Sequence, residues 1–392
     1  MSTAGEMAVP AGAPHVEGLR QRLSRVGADF VASRVPLLLV VWASALMMPR
    51  SPGPVKPDNL FLNGWFRWDA HYYLRIAQYG YTNIANELGQ RDTHFWPLFP
   101  LLIKLVSFVL PGHDLALSAL LLNHALLFGA LLLFDDLARA TLDESGARLS
   151  SWLLLIYPFA FYYSAPYSEA TFLFWTLVAF AFGRRKRWLI AALAAGCASA
   201  TRAAGIGTAV ALVVLYWEEC RYSLRNVRWD ALFLPLGAIG ALEYVAMLKV
   251  EFGDPMAFAS GMTARDWGAD VGWARFFDTV RDLLSPFSRW PLSWIKATDS
   301  FHLVCLGLAA FLTFRGRSVL RPYLLVFCVV ELLIVTRLWT NGGRYVAPLF
   351  PIYLVGASLL AGRATASRFV CAISLLFQAL FAIMYARNYW VS

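Results

Sequence analysis

Apolar runs close to membrane length recur from one end of this chain to the other, separated mostly by short, Arg-rich loops. Crossing ~30 Å of hydrocarbon as a helix takes about 20 apolar residues. In that medium every backbone N–H and C=O must be paired inside the protein, so only helices or closed barrels cross. The runs here are continuous rather than alternating at every second residue, which selects helices over a barrel. Candidate spans fall at 30–48, 115–134, 150–166, 168–183, 188–201, 203–217, 231–250, 299–314, 319–338, 345–361 and 368–387. That makes about eleven, allowing for short or tilted helices. The expected fold class is an all-α polytopic membrane protein. Only 15% of the residues are charged, against about 25% in a soluble domain, which agrees.

The formal net charge is +9. In a soluble protein that excess would suggest nucleic acid as a partner. Here the basic residues sit between apolar runs, where they set orientation, and nucleic acid is not expected. "GRRKRW" (183–188), "RYSLRNVR" (221–228), "RGRSVLR" (315–321) and "GRATASR" (362–368) fall on one side if the spans pair as hairpins. The positive-inside rule assigns that side to the cytoplasm, together with the N-terminal tail 1–29 and its Arg20, Arg22 and Arg25. Arg34 follows just beyond. The first run lacks an A-x-A cleavage site, so it reads as an uncleaved span. Residues 30–392 then form a single transmembrane domain with two large external segments, 49–114 and 251–298. "FWPLFPLLIKLVSFVLP" (95–111) is apolar enough to cross, but crossing would reverse every later basic loop. It is therefore expected as an interfacial or re-entrant helix. The five cysteines, Cys197, Cys220, Cys305, Cys328 and Cys371, form no C-x-x-C pair and read as isolated thiols.

Polar chemistry concentrates in the external segments. "WFRWDAHYYLRIAQYGYT" (65–82) carries aromatic and apolar residues at three- and four-residue spacing, which predicts an amphipathic surface helix starting at Asp69. Asp69 is either the N-cap of that helix or a reactive carboxylate. Glu169, within "YYSAPYSEAT" (162–171), is an ionisable group at or just inside the mouth of a span. Such groups face a partner or a cavity, or here cap a helix from near Ser168. Arg202 interrupts the small-residue stretch "ASATRAAGIG" (198–207). It is a candidate for a phosphate or for a carboxylate such as Glu169 or Asp69, with snorkelling to headgroups as the alternative. In "TNGGRYVAPLFP" (340–351) the glycines permit a tight turn, and Arg344 and Tyr345 follow it as candidates to hold a phosphate. His71, His94 and His124 lack zinc-site spacing. No metal or cofactor is assigned; the one place for a divalent cation, Mg²⁺ or Mn²⁺, is Asp69 together with a substrate phosphate. There is no Walker loop and no strand-linked G-x-G-x-x-G.

These motifs, with "FWPLFPLLIKL" (95–105), "GCASATRAAGIG" (196–207), "GGRYVAPLFPIY" (342–353) and "FGDPMAFASGMTARDWG" (252–268), resemble in order and spacing the PIG-V mannosyltransferases. That family lies within the GT-C superfamily of membrane glycosyltransferases. The resemblance implies a GT-C-type bundle whose large first external loop carries amphipathic helices. It also implies transfer of mannose from a polyprenyl-phosphate carrier to a lipid-linked or cell-envelope acceptor on the extracytoplasmic face. The family's Trp-Asp signature is matched by Trp68 and Asp69, and its Ser-Glu-Ala step by Ser168, Glu169 and Ala170. The Ala/Arg-rich chain with short cytoplasmic loops suggests a bacterial plasma membrane.

Chemistry agrees with that implication. A sugar phosphate carries its own leaving group, so an inverting transferase needs one general base, for which Asp69 is the candidate. The departing phosphate needs fixed positive charge, for which Arg202 and Arg344 are the candidates, with Arg75 third. The expected substrate-binding set is Trp68, His71, Arg75, Tyr81, Ser168, Glu169, Arg202, Arg344 and Tyr345. Two other classes stay open: a lipid or solute transporter, and a non-catalytic subunit of a transferase complex.

Overall fold

Each of the eleven apolar runs contains a helix in a computed structural model, which describes residues 18–48, 59–82, 84, 91–260, 277–281 and 294–391. Five helices are long and apolar enough to cross a membrane: Leu19–Met47, Leu115–Arg139, Trp229–Phe252, Ala297–Ser318 and Ala364–Ala386. Shorter apolar helices, Trp188–Thr201, Pro322–Val335 and Pro351–Leu360 among them, pack between these. The chain is an integral membrane protein of all-α class. The tail residues 1–17, the parts 49–58, 83, 85–90, 261–276 and 282–293 of the two long polar segments, and the motif 252–268 beyond Ser260 lie outside the described residues.

The first helix starts at Leu19, eleven residues before its apolar run. Arg22 and Arg25 pair with Asp135 and Asp136 at 2.8–3.3 Å. That neutralisation lets the helix continue through a charged stretch. Arg34, read with the basic flank, is instead almost fully buried.

Proline explains why several runs are broken. The 150–166 run is helical only to Ile156, because Tyr157 precedes Pro158 and a residue before proline avoids the helical region. A 3-10 turn, Ala160–Tyr163, and an irregular stretch follow before a helix resumes at Glu169. This segment is buried throughout, so its backbone groups need protein partners. Polar side chains from three of the long helices provide them. Arg34 donates to Ala160 O at 3.1 Å, Asn123 to Tyr167 O at 3.0 Å, and Gln378 to Leu155 O at 2.9 Å and Tyr157 O at 3.2 Å.

Residues 65–77 and 92–103 are more deeply packed than a surface helix would be. Trp65 and Phe66 are fully buried, and Tyr385 donates to Trp65 O at 2.8 Å, pinning the segment to the end of the last helix. The Ala70–Tyr79 helix buries Tyr73, Ile76 and Ala77 and leaves Gln78 and Tyr79 exposed. Tyr73 packs edge-on against Phe95 and Phe99, the latter on the helix Leu98–Ser107. Its ten residues rise about 15 Å, half of what a crossing needs. All five cysteines are free thiols.

Candidate active site

Asp69 enters the helix Ala70–Tyr79 from a strained turn. Trp68 has φ of 52°, a left-handed conformation that costs a bulky residue roughly 1–2 kcal/mol. Its ring meets Trp390 edge-on at 4.9 Å. Asp69 occupies the N-cap position, yet its side chain accepts no capping bond. The expected cap is thus not made. The carboxylate turns inward, and its Oδ2 accepts from Arg344 Nη1 at 2.7 Å.

Arg344 is held by the short helix Gly342–Val346. Gly343 lets that backbone come close: a Cβ there would lie 2.2 Å from the Phe159 ring and 2.7 Å from His302 Nδ1. The Gly343 N–H donates to His302 Nδ1 at 2.9 Å, and Tyr157 Oη donates to Gly343 O at 3.0 Å. So fixed, Arg344 also donates through Nε to Glu169 Oε1 at 2.6 Å. Its guanidinium lies 4.4 Å from the Tyr167 ring centre and 5.1 Å from that of Tyr162. Arg202, where Trp188–Thr201 ends, reaches the same Glu169 Oε1 through Nη2 at 3.2 Å. The Tyr345 ring lies against both guanidiniums, 4.8 Å from that of Arg202 and 5.4 Å from that of Arg344.

The result is a buried chain of four charges, Asp69, Arg344, Glu169 and Arg202, with formal charges that cancel. Both ion pairs of Arg344 are under 3 Å, in charge-assisted hydrogen-bond range. Glu169 Oε2 has no hydrogen-bond partner among the described residues. All four residues lie at or beside helix ends, so the charges gather where helices meet rather than midway along a span. Two guanidiniums braced by carboxylates and aromatic faces are suited to receiving an anion.

Five of the candidates named from sequence thus meet: Asp69, Glu169, Arg202, Arg344 and Tyr345. Trp68 and Ser168 flank the cluster. Ser168 does not cap its helix; it accepts a hydrogen bond from Tyr73 Oη at 3.2 Å. His71, Arg75 and Tyr81 lie elsewhere. Arg75 is paired with Asp92 at 2.9 Å, and Tyr81 donates to Phe95 O at 2.5 Å. His71 is on the outer face of its helix, its imidazole held below the usual 6.5 by burial and then by the nearby Arg67 charge. The residues that reading did not single out are Tyr162, Tyr167, His302 and Phe172, whose ring centre lies 5.6 Å from the Arg202 guanidinium. The first two stand in the quoted "YYSAPYSEAT", where only Ser168 and Glu169 drew notice. Among the described residues no group of three or more His, Cys, Asp or Glu side chains is arranged to hold a metal ion.

A family model described as Mannosyltransferase (PIG-V) matches residues 42–245, about half of the chain. The GPI alpha-1,6-mannosyltransferase 2 of Mus musculus is 32% identical over 194 residues, 46% of this chain and 37% of its own length. The protein of the same name from Cricetulus griseus is 31% identical with the same coverage. The chain thus aligns with well under half the length of these curated relatives. Among solved structures, ArnT from Cupriavidus metallidurans bound to undecaprenyl phosphate superposes with a TM-score of 0.52. The match covers 87% of this chain and 62% of that one at 16% identity, which shows a shared fold.

Proposed function

We propose that this chain, which belongs to the PIG-V mannosyltransferase family, transfers a mannosyl residue from a polyprenyl-phosphate carrier to a lipid-linked or cell-envelope acceptor. The observation that carries the proposal is the Arg344 bridge, 2.7 Å to Asp69 and 2.6 Å to Glu169, beside Arg202. It brings one candidate base and two candidate phosphate-binding cations into a single buried site. The undecaprenyl phosphate in the ArnT structure and the names of the curated relatives favour this donor class and this sugar. The basic loops favour a site on the extracytoplasmic face of a bacterial plasma membrane.

The reaction balances with the groups at hand. The acceptor hydroxyl gives its proton to an Asp69 carboxylate oxygen as its own oxygen attacks the sugar's anomeric carbon. The bond from that carbon to the phosphate oxygen breaks, and polyprenyl phosphate leaves with the electron pair. Attack from the opposite face inverts the centre. Arg344 and Arg202 neutralise the added negative charge on the leaving phosphate.

This reading gives the resting ion pair a role. While Arg344 holds Asp69, that carboxylate is a poor base. A donor phosphate draws Arg344 toward itself and releases Asp69 for the acceptor, so the donor binds first. A Mg²⁺ or Mn²⁺ at Asp69 would compete with Arg344 for the same oxygen, and the transfer as written uses guanidinium charge alone.

The test is transfer of labelled mannose from polyprenyl-phosphomannose by the purified protein. Asp69→Asn keeps the side-chain shape and is expected to lower kcat by about 10²–10⁴-fold. Near-normal transfer by a folded Asp69→Asn protein would remove Asp69 as base, and no transfer by wild type from any polyprenyl-phosphate sugar would remove the enzyme reading.

A further inference from the structure

At the far end of the helix Glu169–Arg184 lies a cavity of about 310 Å³ that the charge cluster does not line. The sixteen residues of that helix rise about 24 Å, so the cavity sits on the opposite side of the bundle from Glu169. Ion pairs identify that side as the one where basic segments gather. Arg22 and Arg185 meet Asp136 at 2.8 and 3.6 Å, and Lys186 and Arg321 meet Glu219 at 3.3 and 3.2 Å. The start of the first helix and the loops 183–188 and 315–321 thus share one face.

The cavity opens between the helices Leu115–Arg139 and Glu169–Arg184. Leu137, Leu177 and Phe180 give it buried apolar walls, and Asp136, Arg184 and Arg185 line it with charge. The Asp136 carboxylate is already taken by Arg22 at 2.8 Å. Its contact with Arg185 is long, at 3.6 Å, and both side chains are exposed, so it contributes little. Among the described residues Arg184 makes no ion pair or side-chain hydrogen bond. The carbonyls that end the helix are satisfied. Ala181 O accepts from Arg185 Nη1 at 3.0 Å, Phe182 O from the Arg187 N–H at 3.0 Å, and Gly183 O from the Lys186 N–H at 2.9 Å. An anion arriving here meets guanidinium charge rather than unpaired oxygens.

A free phosphate would leave the apolar walls unused, and an uncharged acyl chain would leave Arg184 without a partner. We propose that this cavity binds an anionic membrane phospholipid, its phosphodiester on Arg184 and Arg185 and its glycerol and upper chains against Leu137, Leu177 and Phe180. The volume lies at the lower end of the range of about 300–1,000 Å³ usual for small-ligand sites. It suits that part of the lipid and leaves the rest of the chains in the bilayer. The site stands apart from the sugar-transfer reading, and its test does not read activity.

The full chain, purified in a non-ionic detergent, is titrated with dioleoyl phosphatidylglycerol, and the retained lipid is counted by native mass spectrometry. Arg184→Gln breaks no ion pair, so without lipid it should melt within about 1 °C of wild type. Its affinity for the lipid should fall about tenfold. Ala181→Trp, on the cavity lining, fills the space and should lower retention in the same way. Arg225→Gln, on the neighbouring basic loop 221–228, should leave retention unchanged. Undiminished retention in folded Arg184→Gln would overturn the site, and equal losses in Arg184→Gln and Arg225→Gln would reduce it to diffuse attraction and overturn it too. Dioleoyl phosphatidylcholine held as tightly as phosphatidylglycerol would overturn the preference for an anionic lipid. Displacement of the lipid by an equal concentration of inorganic phosphate would overturn the lipid assignment in favour of a free anion.

Discussion

Replacing Arg344 with Met separates what the charge chain does for the fold from what it does for chemistry. In the native protein Arg344 bonds Asp69 at 2.7 Å and Glu169 at 2.6 Å, and the three side chains are 4%, 13% and 0% exposed. Met keeps much of the volume but leaves Glu169 with Arg202 at 3.2 Å alone and takes from Asp69 its buried guanidinium. Removing one partner of a buried pair costs about 3–5 kcal/mol, because the remaining charge stays desolvated. At about 2 °C per kcal/mol, the low end for chains of 150–250 residues, the melting temperature should fall by about 6–10 °C. Adding Asp69→Asn removes the stranded charge without changing its shape. The double variant is therefore expected to melt above Arg344→Met, with a coupling of roughly 2 kcal/mol. Neither variant should transfer sugar. Scanning fluorimetry in detergent reads the first quantity, and labelled-mannose transfer reads the second. If Arg344→Met melts within about 1 °C of wild type, or the two losses simply add, the ion pairs do not stabilise the bundle and the reasoning fails.

Gly343→Ala puts a methyl group 2.2 Å from the Phe159 ring; it should cost about 1–3 kcal/mol of overpacking and shift Arg344 enough to reduce transfer at least about tenfold. Gly356→Ala, whose nearest contact would be 3.5 Å from Leu153, is the tolerated control in the same assay. Arg202→Lys loses the planar group on Tyr345 and should raise the donor KM about tenfold, while Tyr345→Phe, which keeps the ring, should stay near wild type in the same KM measurement. His71 has a depressed pKa when folded, so the unfolded chain takes up its proton first. Its contribution to stability is complete above about 6.5 and declines as pH falls toward the lower folded value. His71→Gln should therefore make the drop in melting temperature between about pH 6.5 and 5 shallower than in wild type.

The helical character and positions of the spans were legible because hydrocarbon leaves a chain few options. The breaks were less so. Nothing in the apolarity of 150–166 announces that the helix ends at Ile156; that follows from Pro158 and from having Arg34, Asn123 and Gln378 in place to satisfy the freed backbone. Those partners come from 121 or more positions away, or from 44, and each looks like an ordinary polar interruption of its own helix. Arg34 is the clearest case. Read locally it belongs with the basic flank, and only the fold makes it a buried brace.

The site shows the same division between local and distant information. Asp69, Glu169, Arg202 and Arg344 stood out because an ionisable group in apolar surroundings needs a compensating partner, and four such residues with two signs can compensate one another. Their pairing then overrode the local preference at Asp69 and Ser168. An N-cap bond contributes typically about 1 kcal/mol, whereas leaving the Arg344 guanidinium buried and unpaired would cost several times that, so the Asp69 carboxylate turns inward and the cap is forgone. Arg75 illustrates the converse. It lies six residues beyond Asp69 on the same helix, but its partner Asp92 is close at hand beyond the next turn, and a charge satisfied locally has no reason to travel to the cluster. Which of several arginines serves a buried site is thus decided by which of them lacks a nearer carboxylate. That criterion needs the fold of residues 59–107, and apolar periodicity alone does not supply it.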